Sequence, residues 1–330
     1  MLLARAFLLL LLLPPQTDPV VEAVLRESRE NSRVMAHLDH LCHRIGPRLT
    51  GSTNLVKACD WTRDEFARYG LEARLEPWGQ FAVGFDRGPG SARMVEPEEM
   101  PLTVGTPAWS PGTDGPVTAP AVLAPTTDAE LAAVKDRLRG AWVVSSARGP
   151  DPFASAYDEA GIAGLIRSAP RELIVTSGRP PGSWEAIPTR VHVTMIASHH
   201  AKIVGLLKEG RAVRLRIDLR NTFVKGPIPL HNVIADLRGT EKPEEMVIVG
   251  AHLDSWDGAQ GATDNGTGVA STLEAARLLT RAGAKPRRTI RFMLFTGEEQ
   301  GLLGSRAWIR ANPDALPRIS AVVVHDYGTN

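Results

Sequence analysis

Met246-Val247-Ile248-Val249-Gly250-Ala251-His252-Leu253-Asp254 decides how this chain is read. An unbroken apolar run, bounded upstream by Glu244 and Glu245, has the length and β-branched content of a strand buried on both faces. His252 then stands at the strand's C-terminal edge, where open α/β sheets gather their ligands. Asp254, two residues on, points the same way. It is expected to accept a hydrogen bond from the second imidazole nitrogen, which fixes the tautomer and makes the other nitrogen a better metal ligand.

Working outward, Ala262-Thr263-Asp264-Asn265-Gly266-Thr267-Gly268 is a Gly-rich loop leading into an amphipathic segment, Val269 to Leu279. Asp264 is therefore expected at a helix entrance among small neighbours, where a carboxylate can bridge two cations. Arg288 to Phe295 alternates as a strand and delivers Thr296-Gly297-Glu298-Glu299 at its end. Adjacent carboxylates there diverge, so one can bind metal while the other faces water as general base. Ile319 to His325 reads as a further strand, with Asp326 at the same edge. Singly, a strand-end histidine is a polar cap and a Glu-Glu pair a solvated turn. Together at one sheet edge they point to metal-dependent hydrolysis.

Several segments resemble the dizinc exopeptidase (aminopeptidase) family, in particular its plasma glutamate carboxypeptidase branch. They are His231-Asn232-Val233-Ile234-Ala235-Asp236-Leu237-Arg238-Gly239, the stretch from Val249 to Asp257, Lys285 to Arg291, and Gly297-Glu298-Glu299-Gln300-Gly301. Upstream, Ile45-Gly46-Pro47-Arg48-Leu49-Thr50-Gly51-Ser52 is similar to the family's N-terminal signature. The resemblance implies an α/β fold, a doubly wound mixed sheet carrying two zinc ions. It implies that His252 binds one zinc, Asp264 bridges both, Glu299 binds the second and Asp326 completes the first. Glu298 would be the general base, and the Asp264–Asn265 peptide would be cis; Asp254, as the partner of the imidazole, is counted with Glu298 among the catalytic residues. The implied activity is secreted, zinc-dependent hydrolysis of dipeptides or peptide termini by a metal-bound hydroxide.

One departure bears on the metals. The family's last ligand is a histidine well downstream of the Asp326 position, and His37, His40, His43, His192, His199, His200, His231 and His325 all fall on other segments. One zinc position is therefore expected to lack its histidine, and the C-terminal part of the catalytic domain is expected to be absent. The competing reading is a catalytically deficient binding or relic protein on the same fold. An acyl-transferring cyclase fits less well, because such relatives lack the inserted segment and bind one zinc.

Composition excludes other classes. Lys and Arg number 38 against 37 Asp and Glu, with no basic stripe interleaved with aromatics, so nucleic acid is not an expected partner. A small peptide or dipeptide is, and a homodimer is left open. Arg5 followed by the apolar run Ala6 to Leu13 and Pro14-Pro15 reads as a signal peptide over residues 1–17, too short to span a bilayer, and implies a secreted or periplasmic address. Export would permit a disulfide between Cys42 and Cys59, and two buried thiols are the alternative.

Helices are expected over Val20 to Arg44 and Asn54 to Tyr69, then a strand over Leu71 to Glu76. From about Gly84 to Pro116, Gly and Pro punctuation predicts irregular structure. Short apolar runs follow at Ala121 to Ala124, Ala141 to Ser145, Gly161 to Ser168, Leu173 to Val175, Val191 to Ile196 and Val213 to Leu219, with helical patterns at Asp128 to Leu138 and His199 to Glu209. This order and rhythm match the family's inserted β-rich protease-associated (apical) domain. The expected division is catalytic residues 18–84, linker and insertion 85–225, and catalytic residues 226–330.

Overall fold

A computed structural model describes residues 18–147 and 149–328. The expected signal segment, residues 1–17, lies outside them. Helix α1 (Pro19–Glu30) opens with Asp18, whose side chain accepts the Val20 N–H, and with proline in the first turn. It stops at Asn31, and α2 (Val34–Asp39) runs on into a π-helical turn, His40–Ile45, closed by Gly46 at φ +87°. The single helix expected over Val20 to Arg44 is therefore two. The gap between them is filled from elsewhere: the Asn31 carbonyl accepts from Arg277, and the Arg33 N–H donates to Glu274. Helix α3 (Thr53–Arg68) is capped by the Ser52 hydroxyl.

Chain order continues with β1 (Glu72–Asp86), β2 (Gly90–Glu96), β3 (Met100–Leu102), β4 (Val104–Gly105), β5 (Val117–Leu123), α4 (Asp128–Leu138), β6 (Trp142–Ser145), α5 (Ala154–Ala160), β7 (Gly164–Ser168), β8 (His192–Met195), α6 (Ala197–Lys208) and β9 (Arg214–Leu219). It ends with β10 (Thr222–Leu237), β11 (Lys242–His252), α7 (Thr267–Arg281), β12 (Arg288–Phe295), α8 (Leu303–Ala311) and β13 (Ile319–Val324).

Two mixed sheets result. The first has the order β1-β10-β12-β11-β13, with β11 parallel to both its neighbours and the rest antiparallel. Period-two alternation divides its residues between two helical layers. Phe292 and Leu294 face Phe66 of α3 and Leu273 of α7, whereas Ile248 and Met293 face Trp308 of α8. Helices on opposite faces make this sheet doubly wound, and they leave the carboxyl ends of β11, β12 and β13 as the open crevice. Among the described residues it has five strands. Its edge strand β13 exposes Val322, Val323 and Val324.

The second sheet, β3-β2-β9-β5-β6-β7-β8-β4, is built entirely from residues between β1 and β10. Trp142, Val144, Ile166, Val193 and Met195 pack on one face with α6, and Val143, Leu165 and Tyr157 fill the other. Structure differs from expectation where elements are short. The stretch expected to be irregular carries the end of β1 and all of β2, β3 and β4; β3 and β4 are too brief for a period to show, and β2 is held by its pairing with the distant β9. Leu173 to Val175 is not a strand; Ile174 packs on Gly105 while Leu173 and Val175 are exposed. Cys42 and Cys59 are both buried free thiols, and burial pushes each above the ordinary thiol range. No described helix is long and apolar enough to cross a membrane.

Candidate metal centre

Strand register builds the site. His252 is the last residue of β11 and lies opposite Phe295 of β12, while Gly250 lies opposite Val324 of β13. The His325 N–H extends that pairing by donating to the Gly250 carbonyl at 2.9 Å. The residues just past β12 and β13, namely Glu298, Glu299 and Asp326, therefore emerge beside His252. Asp264 arrives from the loop before α7. Its neighbour Asn265 donates to the His325 carbonyl at 2.9 Å and accepts from the Gly268 N–H at 3.1 Å, so one side chain ties this loop to the end of β13 and caps α7. The Asp264–Asn265 peptide is cis, as the resemblance implied.

His252 Nε2 is 3.0 Å from Asp264 Oδ1, 3.4 Å from Asp326 Oδ1 and 3.9 Å from Glu298 Oε2. One ligand atom each from His252, Asp264 and Asp326 lies within 4.8 Å of the others. Nε2 is buried, yet no group among the described residues satisfies it with a well-aligned hydrogen bond. Carboxylate oxygens surround it at ligand spacing rather than in hydrogen-bonding line. Tetrahedral zinc with bonds of about 2.1 Å holds its ligand atoms roughly 3.4 Å apart, so an imidazole and two carboxylates at these distances fit that ion and leave a position open.

Asp254 does something other than expected. The His252 ring bonds through Nδ1 to the Asp254 backbone carbonyl at 3.0 Å, while the carboxylate stands 3.7 Å away. That fully buried carboxylate instead accepts the Glu298 N–H and the Glu299 N–H, each at 3.2 Å, and the Thr50 hydroxyl at 3.0 Å. It clamps the glutamate turn. With the carboxylate committed to those three donors, the Asp254 main-chain carbonyl is what the imidazole reaches.

The glutamates diverge. Glu298 faces His252, whereas Glu299 Oε1 accepts the Trp256 N–H at 3.3 Å and lies outside the three-residue cluster. Burial raises both carboxyl groups, Glu299 to about 8, with Asp264 and Asp254 adding to it. For Glu298, burial is opposed by His252 and reinforced by Asp254, Asp326 and Asp264. At His252 burial works downward, but the nearby Asp254 carboxylate and the charges of Glu298 and Asp326 prevail and push it up to about 9. A site whose acids are raised and whose base is also raised is short of positive charge.

Asn232, Trp78 and Thr50 support this rim, none of them among the expected site residues. Asn232 accepts the Thr296 N–H at 3.1 Å and donates to the Gly304 carbonyl at 3.0 Å, while Trp78 donates to the Thr296 hydroxyl at 2.8 Å. Asn232 and Thr50 lie in segments quoted for the resemblance; Trp78 had no local signal.

Residues 232–329 match Peptidase family M28. Carboxypeptidase Q of Homo sapiens is 30% identical over 327 residues, covering 91% of this chain and 66% of the relative. The probable lipoprotein aminopeptidase LpqL of Mycobacterium tuberculosis is 28% identical, covering 94% and 63%. This chain thus spans slightly under two thirds of the length of these curated relatives. Among solved structures, a Peptidase M28 precursor from Shewanella amazonensis is 26% identical with a TM-score of 0.65, covering 94% of this chain and 74% of that one. The chain carries a Peptidase M28 domain and is homologous to carboxypeptidase Q.

Proposed function

We propose that this protein is a zinc-dependent exopeptidase acting on dipeptides or the terminal bond of short peptides. The observation that carries the reading is the buried, unsatisfied His252 Nε2 set among Asp264, Asp326 and Glu298. His252, Asp264 and Asp326 would hold one zinc, and Asp264 with Glu299 would serve a second. Bound zinc supplies Lewis-acid polarisation of the scissile carbonyl and acidifies water.

The remaining work belongs to side chains. Glu298 takes the proton of the attacking water and returns it to the leaving amine, a task suited to a carboxyl raised above its ordinary range. Asp254 fixes the backbone from which Glu298 and Glu299 project. The Gly258 N–H, two residues beyond the Trp256 that bonds Glu299, donates to Thr176 Oγ1 at 3.1 Å, so a segment of the inserted region borders this loop. That border supports a preference for short substrates. The names of the relatives, a carboxypeptidase and an aminopeptidase, leave the end attacked to experiment. Export is supported by the apolar run after Arg5.

Isothermal titration of the chain with Zn²⁺, paired with a dipeptide hydrolysis assay, tests the proposal. Saturable zinc binding that disappears in His252→Ala is expected, with zinc-dependent hydrolysis by the wild type. A chain that takes up no zinc would sink it.

A further inference from the structure

Arg48 is wholly buried, and among the described residues no carboxylate lies within ion-pairing distance of its guanidinium. A buried charge costs several kcal/mol unless its hydrogen-bonding capacity is met. Here it is met by main-chain oxygens. Nε donates to the Leu253 carbonyl at 2.8 Å, Nη1 to those of Gly46 and Gln260 at 3.1 and 3.0 Å, and Nη2 to that of Gly261 at 2.8 Å. The Arg48 main chain adds a reciprocal pair with Ser255: its N–H donates to Ser255 Oγ and its carbonyl accepts the Ser255 N–H, both at 3.1 Å.

These acceptors are not scattered. Leu253 directly follows His252, and Gly261 lies three residues before Asp264, so one planar fork grips both ends of the loop that joins two zinc-ligand candidates. Gly261 itself is left-handed at φ +61°, and a Cβ there would collide with Ser255 and with Arg48 Nη2. The loop is therefore pinned at its C-terminal end, where a side chain has no room. We propose that Arg48 is a positioning residue that sets the separation of His252 and Asp264, so that the zinc-binding geometry is held before any ion arrives. Lysine cannot substitute, because a single ammonium has three donors radiating from one point and cannot span carbonyls at opposite ends of the loop.

This inference rests on the zinc reading of the site, and the experiment separates the two. Zn²⁺ is titrated calorimetrically into the wild-type chain, Arg48→Lys, Arg48→Ala and Ser255→Ala, with near-ultraviolet circular dichroism confirming the fold of each. Arg48→Lys is expected to keep its fold and weaken the zinc Kd by about 10- to 100-fold, the usual cost of losing a group that orients metal ligands. Millimolar guanidinium, but not an equal concentration of potassium, is expected to restore zinc affinity to Arg48→Ala, a rescue that a generally destabilised chain would not show. A wild-type chain without zinc binding overturns the metal reading and this inference with it. Wild-type binding together with an Arg48→Lys Kd within twofold overturns this inference alone. If the Arg48 variants do not fold, Ser255→Ala decides: a Kd weakened by about 3- to 10-fold supports the loop-setting role, and one within twofold overturns it.

Discussion

Two buried polar clusters flank α7, and they treat their carboxylates in opposite ways. From its middle, α7 reaches the junction of α1, α2 and α3, where its own Glu274 is 6% exposed and burial alone would raise that carboxyl. Bonds from Arg277 at 2.9 Å, the Arg33 N–H and the charge of His37 outweigh that and lower it. Before its N-terminal end, at the carboxyl edge of the first sheet, burial raises Glu298 and Glu299 and the neighbouring carboxylates reinforce the rise. The residue types are shared, and the counter-charge is what differs. At the junction the protein neutralises its own acids and gains stability. At the sheet edge it gathers acids around one imidazole and leaves the balance to a cation.

The largest effect should come from the edge. Glu298→Gln is expected to cost about 10²- to 10⁴-fold in turnover, the span of a lost general base, while zinc content by elemental analysis stays at the wild-type level. Loss of zinc in that variant would reassign Glu298 as a ligand. Arg277→Met should instead act on stability. Leaving Glu274 buried without its partner is expected to lower the unfolding free energy in urea by about 3 kcal/mol, with zinc affinity unchanged. A parallel loss of zinc affinity would show that the two clusters are coupled.

Next in size is the pH dependence of the metal-free chain. Burial pushes the Glu299 carboxyl up to about 8 from an ordinary 4.5, so between those values the folded chain is expected to hold a proton that the unfolded chain has released. Stability therefore falls as pH rises across that window. His252, raised to about 9 from 6.5, adds stability that is present below 6.5 and lost as pH climbs through 9. Glu274 has the opposite sign: lowered when folded, it stabilises above 4.5 and that contribution disappears as pH falls further. Thermal midpoints from pH 4 to 9 should show a decline on the alkaline side that Glu299→Gln flattens and zinc reverses. A decline that survives in Glu299→Gln and in the presence of zinc would place its origin elsewhere. The smallest effect is Trp78→Phe, which removes one bond to the Thr296 hydroxyl and should cost about 1 kcal/mol by the same urea measurement.

Legibility followed length and periodicity. Arg288 to Phe295 coincides with β12, and Val269 to Leu279 falls inside α7, because each is long enough for its period to be read. The first expected helix failed at Asn31, where groups from α7 supply the bonds that a continued helix would have used. Strand β1 runs ten residues past the expected end at Glu76 because β10 pairs with it, a partner more than a hundred residues away. At the site, His252, Asp264 and Asp326 do converge, while Asp254 serves the glutamate turn rather than principally the imidazole.

The sequence by itself determined which residue types end each strand of the first sheet, since apolar runs must be buried and the polar residues that terminate them must leave at an edge. It therefore placed one imidazole and the carboxylates on a common rim. Tertiary structure alone decided which carboxylate oxygen faces the imidazole, which one holds backbone N–H groups, and where the buried Arg48 finds its acceptors. Those choices depend on contacts between segments some 200 residues apart, set by the packing of loops on one another, and local pattern carries no record of them.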